Sequence, residues 1–369
     1  MDDAAALAVA EALLANPTVP LVEDLPVAHV LTVAGRLGLA AARDAAGNVV
    51  VRYEAEGADL DHPLVLVAHL DHPGFAITDV DGDTLILEFR GGLMATNAVP
   101  GSPLHLFAPG QVERVGEAEL TTATEAAGRL SGGTARLTTG EAPPDGFAMW
   151  GFPGFEVVNG HITGRVCDDL LGAAAGLATL TEVAAQQPAG VAVWGLFTRA
   201  EEVGFLGALE AIRLETVPTG SDVLSLECSK ALVDAPQGGG VIVRVGDRMS
   251  IFDPGLTAAL TTAAIDLAAE DDTFRFQRKL MDGGACEATA FCAAGYRASG
   301  LALPLGGYHN ASDGEPGIVA ETVLVSDYLA EVRLLVALAC RPELLRPTPG
   351  PPAWLAERQT AARAALGTA

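Results

Sequence analysis

The chain has 369 residues, half of them hydrophobic, and 22 basic against 47 acidic side chains give it a formal net charge of −25. That length accommodates one large α/β unit or two domains around a sizeable core. The charge argues against nucleic acid or an anionic membrane as a partner and suits metal cations.

The N-terminus, MDDAAALAVAEALLAN, reads as an amphipathic helix and lacks the basic stretch and small-residue cleavage site of a secretion signal. Helical patterns over 3–16 and 24–41 lead into VVVRYEA and PLVLVAHL, β-branched runs typical of buried strands. From about 75 to 163 the pattern changes to short β-type pieces (TLILEF, LHLFA, GTARLTT, FEVVNGHITG) cut by Gly, Pro and Asp, which predicts a small inserted β-domain. After Asp168-Asp169 helices and strands alternate: LLGAAAGLATLTEVAAQ, VAVWGLF, VGFLGALEAIRL, DVLSLE, GVIVRVG, a helix around 255–269, FRFQRKL, a helix around 284–294, ASGLALP and a long helix at 319–340. The expected fold is α/β, a mostly parallel mixed sheet flanked by helices, with a barrel-like β-insertion. Residues 1–74 and 164–345 are expected to form one discontinuous domain, 75–163 the insertion, and 346–369 a partly helical tail. No run of about 18 apolar residues is present to span a bilayer. The five cysteines are scattered without CxxC spacing, which suits a reducing cytoplasm.

In such sheets ligands gather beyond the carboxyl ends of the strands. The chain's chemistry-bearing residues gather there too. PLVLVAHLD ends in His69 and Asp71, VAVWGLFTRAEE in Glu201 and Glu202, and DVLSLE in Glu227; ASGLALPLGGYHN reaches His309, while Asp168 and Asp169 open a helix. Singly, each has a bland reading as a hydrogen-bonded histidine, a helix cap or a solvated acidic pair. Together they make a set of imidazole and carboxylate donors suited to Zn²⁺, Co²⁺ or Mn²⁺, with Zn²⁺ the leading candidate. Two such ions about 3.5–4 Å apart acidify a bridging water and polarise a carbonyl, provided one carboxylate bridges them and another moves the proton. Adjacent carboxylates at the mouth of a buried strand repel, and this division of labour accounts for Glu201 beside Glu202.

The blocks AHLDHPGF (68–75), VCDDLLG (166–172), TRAEEVGFLGA (198–208), SLE (225–227), MDGGACEATAF (281–291) and LPLGGYHN (303–310) resemble, in order, the motifs of the tetrahedral (TET-type) and glutamyl aminopeptidases. These dimetal enzymes have a zinc-exopeptidase-like fold and are also known historically as endoglucanase or cellulase M. The resemblance implies that His69, Asp168 and Glu227 hold one ion and Asp168, Glu202 and His309 the other. It further implies Glu201 as general acid/base, Asp71 as support for His69, and a hydroxide bridging the two metals as the nucleophile. The implied activity is removal of N-terminal residues from peptides by a cytoplasmic homo-oligomer, from a dimer up to a tetrahedral dodecamer.

Departures from the family pattern lie around the ligands. His72-Pro73-Gly74 replaces Glu-Val-Gly, Leu170 replaces Arg, the fourth ligand is Glu227 rather than Asp, Gly-Gly-Thr-Asp becomes Gly283-Gly284-Ala285-Cys286-Glu287, and Gly307-Tyr308-His309-Asn310 replaces Arg-Tyr-x-His-Ser. Two other readings use the same residues: a deacylase or carboxypeptidase on the same metal core, and a non-catalytic homologue. His62 and His72 are expected to make local hydrogen bonds rather than to bind metal or substrate, Cys167 and Cys228 to be small buried hydrophobes, and Asp313 and Glu315 to cap the last long helix or face solvent.

Overall fold

The computed structural model describes residues 1–346 and 353–367. Its centre is a mixed sheet in the order Ala40–Arg43, Val49–Glu54, Ala192–Thr198, Leu64–His69, Asp222–Ser225, Arg297–Leu305, Val241–Asp247, Phe276–Met281, with Cys228–Lys230 added beside the far end of Arg297–Leu305. The four middle strands are mutually parallel. Val241–Asp247 runs against them.

Strand alternation divides the core between the two faces. Leu64, Leu66 and Ala68 pack with the helices Asp3–Leu14, Asp24–Leu37, Leu170–Gln186, Pro254–Glu270 and Val325–Ala339. Val65 and Val67 pack on the opposite side with the shorter helices Leu206–Arg213 and Glu287–Ala293. Period two therefore carries His69 toward the face of the shorter helices. The first eleven residues of Leu170–Gln186, from Leu170 to Leu180 and mostly Ala, Gly and Leu with Thr179 among them, are all buried, so this helix is apolar all round and sandwiched between sheet and outer helices.

The expected barrel is present as a closed ring of six strands, Gly74–Asp81, Thr84–Arg90, Arg129–Gly140, Gly116–Ala126, Pro103–Phe107 and Phe147–Trp150 in order around it. Phe75, Leu85, Leu87, Leu104 and Trp150 fill its interior. Gly133 permits the close approach of two of these strands, since a Cβ there would lie 2.0 Å from the Thr122 carbonyl oxygen. The hairpin Glu156–Val158 and His161–Gly164 lies outside the barrel, pairing with Glu321–Leu324.

The helix expected over 24–41 ends at Leu37, because Gly38 adopts φ +68° and closes it, freeing Ala40–Arg43 to pair as an edge strand. Of the expected tail, a helix covers Ala353–Leu366; residues 347–352 and 368–369 lie outside the described residues.

Phe75 is fully buried, with Phe89 and Trp150 edge-on at 4.9 and 5.0 Å. Phe75→Ala should lower stability by about 3–5 kcal/mol in urea unfolding; a loss below about 1 kcal/mol would show that the barrel interior is not closely packed.

Candidate metal and catalytic site

The carboxyl ends of the parallel strands bring the distant sequence blocks into one cavity, lined by His69, Asp168, Glu201, Glu202, Glu227 and His309 among others. His69 closes its strand, and Glu201-Glu202 follow Thr198, its partner in register on the neighbouring strand. Glu227 follows Ser225, whose hydroxyl donates to Glu227 Oε1 at 3.0 Å. His309 sits beyond Arg297–Leu305, in a turn where it adopts φ +54°. Asp168 and Asp169 share a cis peptide bond just before Leu170–Gln186.

Among the described residues four groups of donors lie close enough to hold an ion: His69 with Glu201 and Glu202, Asp168 with Asp169 and Cys228, and two on the expected ligands that share Asp168. One ligand atom each from His69, Asp168 and Glu227 lie within 4.8 Å of one another, as do those of Asp168, Glu202 and His309. His69 Nε2 is 3.6 Å from Asp168 Oδ1, and His309 Nε2 is 3.6 Å from Asp168 Oδ2 and 3.1 Å from Glu202 Oε1. Glu201 Oε2 stands 3.9 Å from His69 Nε2.

Neighbouring groups aim these donors. His309 Nδ1 donates to the Gly92 carbonyl at 2.6 Å, which turns Nε2 toward Asp168 and Glu202. The Asp71 carboxylate accepts from the backbone N–H of Glu201 at 2.9 Å and of Glu202 at 3.1 Å, while His69 Nδ1 lies 3.2 Å from the Asp71 carbonyl and 3.5 Å from its carboxylate. One aspartate thus fixes the orientation of three site residues. His72 Nδ1 donates to the Asp168 carbonyl at 2.6 Å and its Nε2 faces Asn310 Oδ1 at 3.1 Å. His62 pairs with Asp59 at the surface.

Burial and crowding drive the titration of the cluster. Burial opposes charge on His69, but Glu201, Asp168 and Asp71 outweigh it and hold its pKa well above the ordinary imidazole value; Glu202 and Asp168 do the same for His309. Burial also pushes Asp168 upward, yet its contacts with both imidazoles prevail and keep it below the usual carboxylate range. Burial, reinforced by neighbouring carboxylates, lifts Glu201 well above its ordinary value and Glu227 to about 7.

Asp168 Oδ1 and Glu202 Oε1 are enclosed without a hydrogen-bond donor. Oxygens of this kind, set among imidazole nitrogens, fit divalent cations of the zinc type.

A sequence model of the family described as M42 glutamyl aminopeptidase matches residues 148–313. That span carries the M42 glutamyl aminopeptidase pattern. No curated protein matches the chain in sequence. Among solved structures, an aminopeptidase from the archaeon Desulfurococcus kamchatkensis superposes with a TM-score of 0.76 at 16% identity, covering 95% of this chain and 99% of that one. A TET aminopeptidase from a marine-sediment Thaumarchaeota archaeon gives 0.76 at 17% identity, covering 93% and 98%. The Pyrococcus horikoshii TET1 peptidase, described as assembling into a tetrahedron or a large octahedral shell, gives 0.68 at 19%, covering 88% and 96%. At such identities the likeness establishes a shared fold.

Three contributors carry no signal in the sequence. Glu321, a single acid in a short strand, accepts from the backbone N–H groups of Cys167 at 2.7 Å, Asp168 at 3.0 Å and His309 at 2.8 Å, tying two blocks of the site together. Glu23 accepts from Arg199 Nε at 2.7 Å and the Ala200 N–H at 3.1 Å, bracing the turn before Glu201. Gly92 acts through its carbonyl alone.

Glu321→Ala strands three buried N–H groups and should cost about 3 kcal/mol or more in chemical denaturation; a cost below about 1 kcal/mol would show that these contacts do not hold the site. Glu287 is fully buried, and burial raises its pKa to about 8. The folded state therefore holds this proton more tightly than the unfolded chain between the ordinary carboxyl value and about 8, so stability declines as pH rises through that window. In chelator, Glu287→Gln should flatten that decline between pH 5 and about 8; an unaltered slope would assign the pH dependence elsewhere.

Proposed function

We propose that the chain is a metal-dependent aminopeptidase that removes N-terminal residues from peptides. The observation that carries this reading is the sharing of Asp168 between two histidine–carboxylate groups, with Glu201 beside them in one cavity. The M42 match and the aminopeptidase fold support it. So does the place of the barrel in the chain, between His69 and Asp168, as in TET-type enzymes and unlike deacylases and carboxypeptidases that insert a lid between the fourth ligand and the last histidine.

In this reading His69, Asp168 and Glu227 hold one divalent ion and Asp168, Glu202 and His309 the other, with zinc favoured by the donor set over cobalt or manganese. Such cations supply Lewis acidity toward a substrate carbonyl and toward water. Glu201 has the position and the raised pKa of a general base that takes a proton from water and returns it to the departing amine. Asp71 holds Glu201 and Glu202 in distinct orientations through their backbone N–H groups. The neighbours' assemblies suggest a homo-oligomer, and five free cysteines suit a cytoplasmic setting.

Glu201→Gln should retain metal by elemental analysis and lose about 10²–10⁴-fold in hydrolysis of aminoacyl chromogenic substrates; near-native activity would reject Glu201 as the base. Removing divalent ions with chelator should abolish activity and readdition of zinc, cobalt or manganese restore it. Cleavage of N-blocked substrates in preference to free amines would instead favour a deacylase.

A further inference from the structure

A cleft between the barrel and the first helix shares no lining residue with the metal-donor cavity. Its volume is about 350 Å³, at the small end of the range for ligand sites, which favour such junctions. Strand alternation builds one wall. In Pro103–Phe107, Leu104 and Leu106 belong to the barrel interior, so His105 and Phe107 face outward, toward the cleft. Other walls come from Glu11 and Ala15 at the end of the first helix and from the segment that runs from Phe152 to Phe155.

Arg165 lies in this cleft and is only 7% exposed, and among the described residues no carboxylate pairs with it. Its Nη2 donates to the Ala15 carbonyl at 2.8 Å, Nε is enclosed without an acceptor, and Nη1 makes no hydrogen bond. Capping the first helix thus employs one of three nitrogens. A buried cation left with unused donors is costly, and natural structures keep one where something completes it. The guanidinium carbon stands 5.2 Å from the Phe107 ring centroid, and Phe147 stacks on that ring at 5.5 Å, which holds the arginine against a fixed surface. Gly154 lets the wall come close: a Cβ there would lie 3.2 Å from the Leu14 carbonyl oxygen and 3.3 Å from Arg165 Nη2. Burial lowers the pKa of Arg165 to about 10, so it stays a cation at neutral pH.

Arg114 brings a second positive charge. Its Nη1 donates to His105 Nε2 at 2.9 Å and pairs with Glu117 at 3.0 Å. Accepting that bond keeps His105 neutral, and burial, then Arg114 and Arg165, lower its pKa. Both arginine charges are therefore felt at one side chain, and the cleft is positive in a chain of net charge −25. Glu11, the one acid on the lining, makes no ion pair with either arginine. Beside these cations lie the half-buried rings of Phe152 and Phe155 and the exposed Val112.

We propose that this cleft binds a small organic anion, with an acidic oxygen group on Arg165 and Arg114 and a ring-sized apolar body against Phe152 and Phe155. Two guanidinium groups supply charge-assisted donors, and the phenyl rings supply a surface on which a planar body packs. A carboxylate and a phosphate monoester both suit these donors. The inference is independent of the aminopeptidase reading, because the cleft contains none of the metal donors.

Calorimetric titration of the full chain tests it, comparing benzoate and phenyl phosphate with benzamide, acetate and inorganic phosphate, each with and without chelator. At least one of the two aryl anions should bind about tenfold or more tighter than benzamide, and severalfold tighter than its ring-free counterpart. Whichever binds identifies the acidic group. Chelator should leave that affinity unchanged. Arg165→Met, which keeps an apolar stem on Phe107, should weaken binding by about tenfold or more, and Arg114→Ala severalfold. Thermal melting checks folding; if Arg165→Met does not fold, Arg114→Ala carries the comparison, since its side chain is half exposed. Affinity preserved in every folded variant, or lost on adding chelator, overturns the proposal and assigns the anion to another site. Failure of both aryl anions to bind wild type, or binding no tighter than that of acetate and inorganic phosphate, rejects it as well.

Discussion

The constraint on which the rest of this structure depends is the burial of many carboxylates at one edge of a sheet. Asp71, Asp168, Asp169, Glu201, Glu227, Glu287 and Glu321 are all largely or wholly inaccessible to solvent, in a chain with more than twice as many acids as bases. Buried charge of one sign is tolerated only when each group is paired, hydrogen-bonded or neutralised by a proton. The acids divide along these lines. Asp71 and Glu321 are saturated by backbone N–H groups and serve as fixed struts. Asp168 and Glu202 keep oxygens without donors and face imidazoles, the arrangement that a cation completes. Glu287 is held by burial in the range where it keeps its proton to neutral pH.

The struts explain how side chains so far apart in the chain reach a common geometry. Asp71 joins the end of one strand to the turn after the next, and Glu321 joins the segment before the long apolar helix to the turn that carries His309. Ala200 and His309 both adopt left-handed backbone conformations, with φ +53° and +54°, and both are braced by an acid, Glu23 for the first and Glu321 for the second. Strained residues persist where their surroundings over-determine them; Ala200 immediately precedes Glu201, and His309 is itself one of the candidate donors.

What could be read in the sequence follows from this division. That the candidate donors would meet was legible because each ends an apolar strand or opens an apolar helix, and strand alternation together with parallel topology leaves few places for them to go. The mixed sheet and the barrel were legible from the change in periodicity near residue 75. The struts were not. Glu321 and Glu23 act by accepting backbone N–H groups from segments more than 150 residues away, those of Cys167 and Asp168 for the first and of Ala200 for the second, and no local pattern distinguishes them from solvated acids. The end of the second helix was misread because Gly38 punctuates a pattern that hydrophobic spacing alone would continue.

The barrel's position between His69 and Asp168 also acquires a physical meaning. Its first strand begins at Gly74, three residues after Asp71, and the loop following Thr84–Arg90 returns to the site, where the Gly92 carbonyl fixes the tautomer of His309. His309 comes from the other end of the chain, 217 residues away, so the insertion is joined to the last donor by a hydrogen bond as well as to the first by covalent continuity. A Cβ at Gly92 would sit between the two, in ordinary contact with that imidazole at 3.5 Å from its Nδ1 and tight against a guanidinium nitrogen of Arg129 of the barrel at 3.1 Å. A displacement of the barrel would therefore move both histidines, one through the chain and one through its ring nitrogen. The β-insertion is mechanically part of the site it borders.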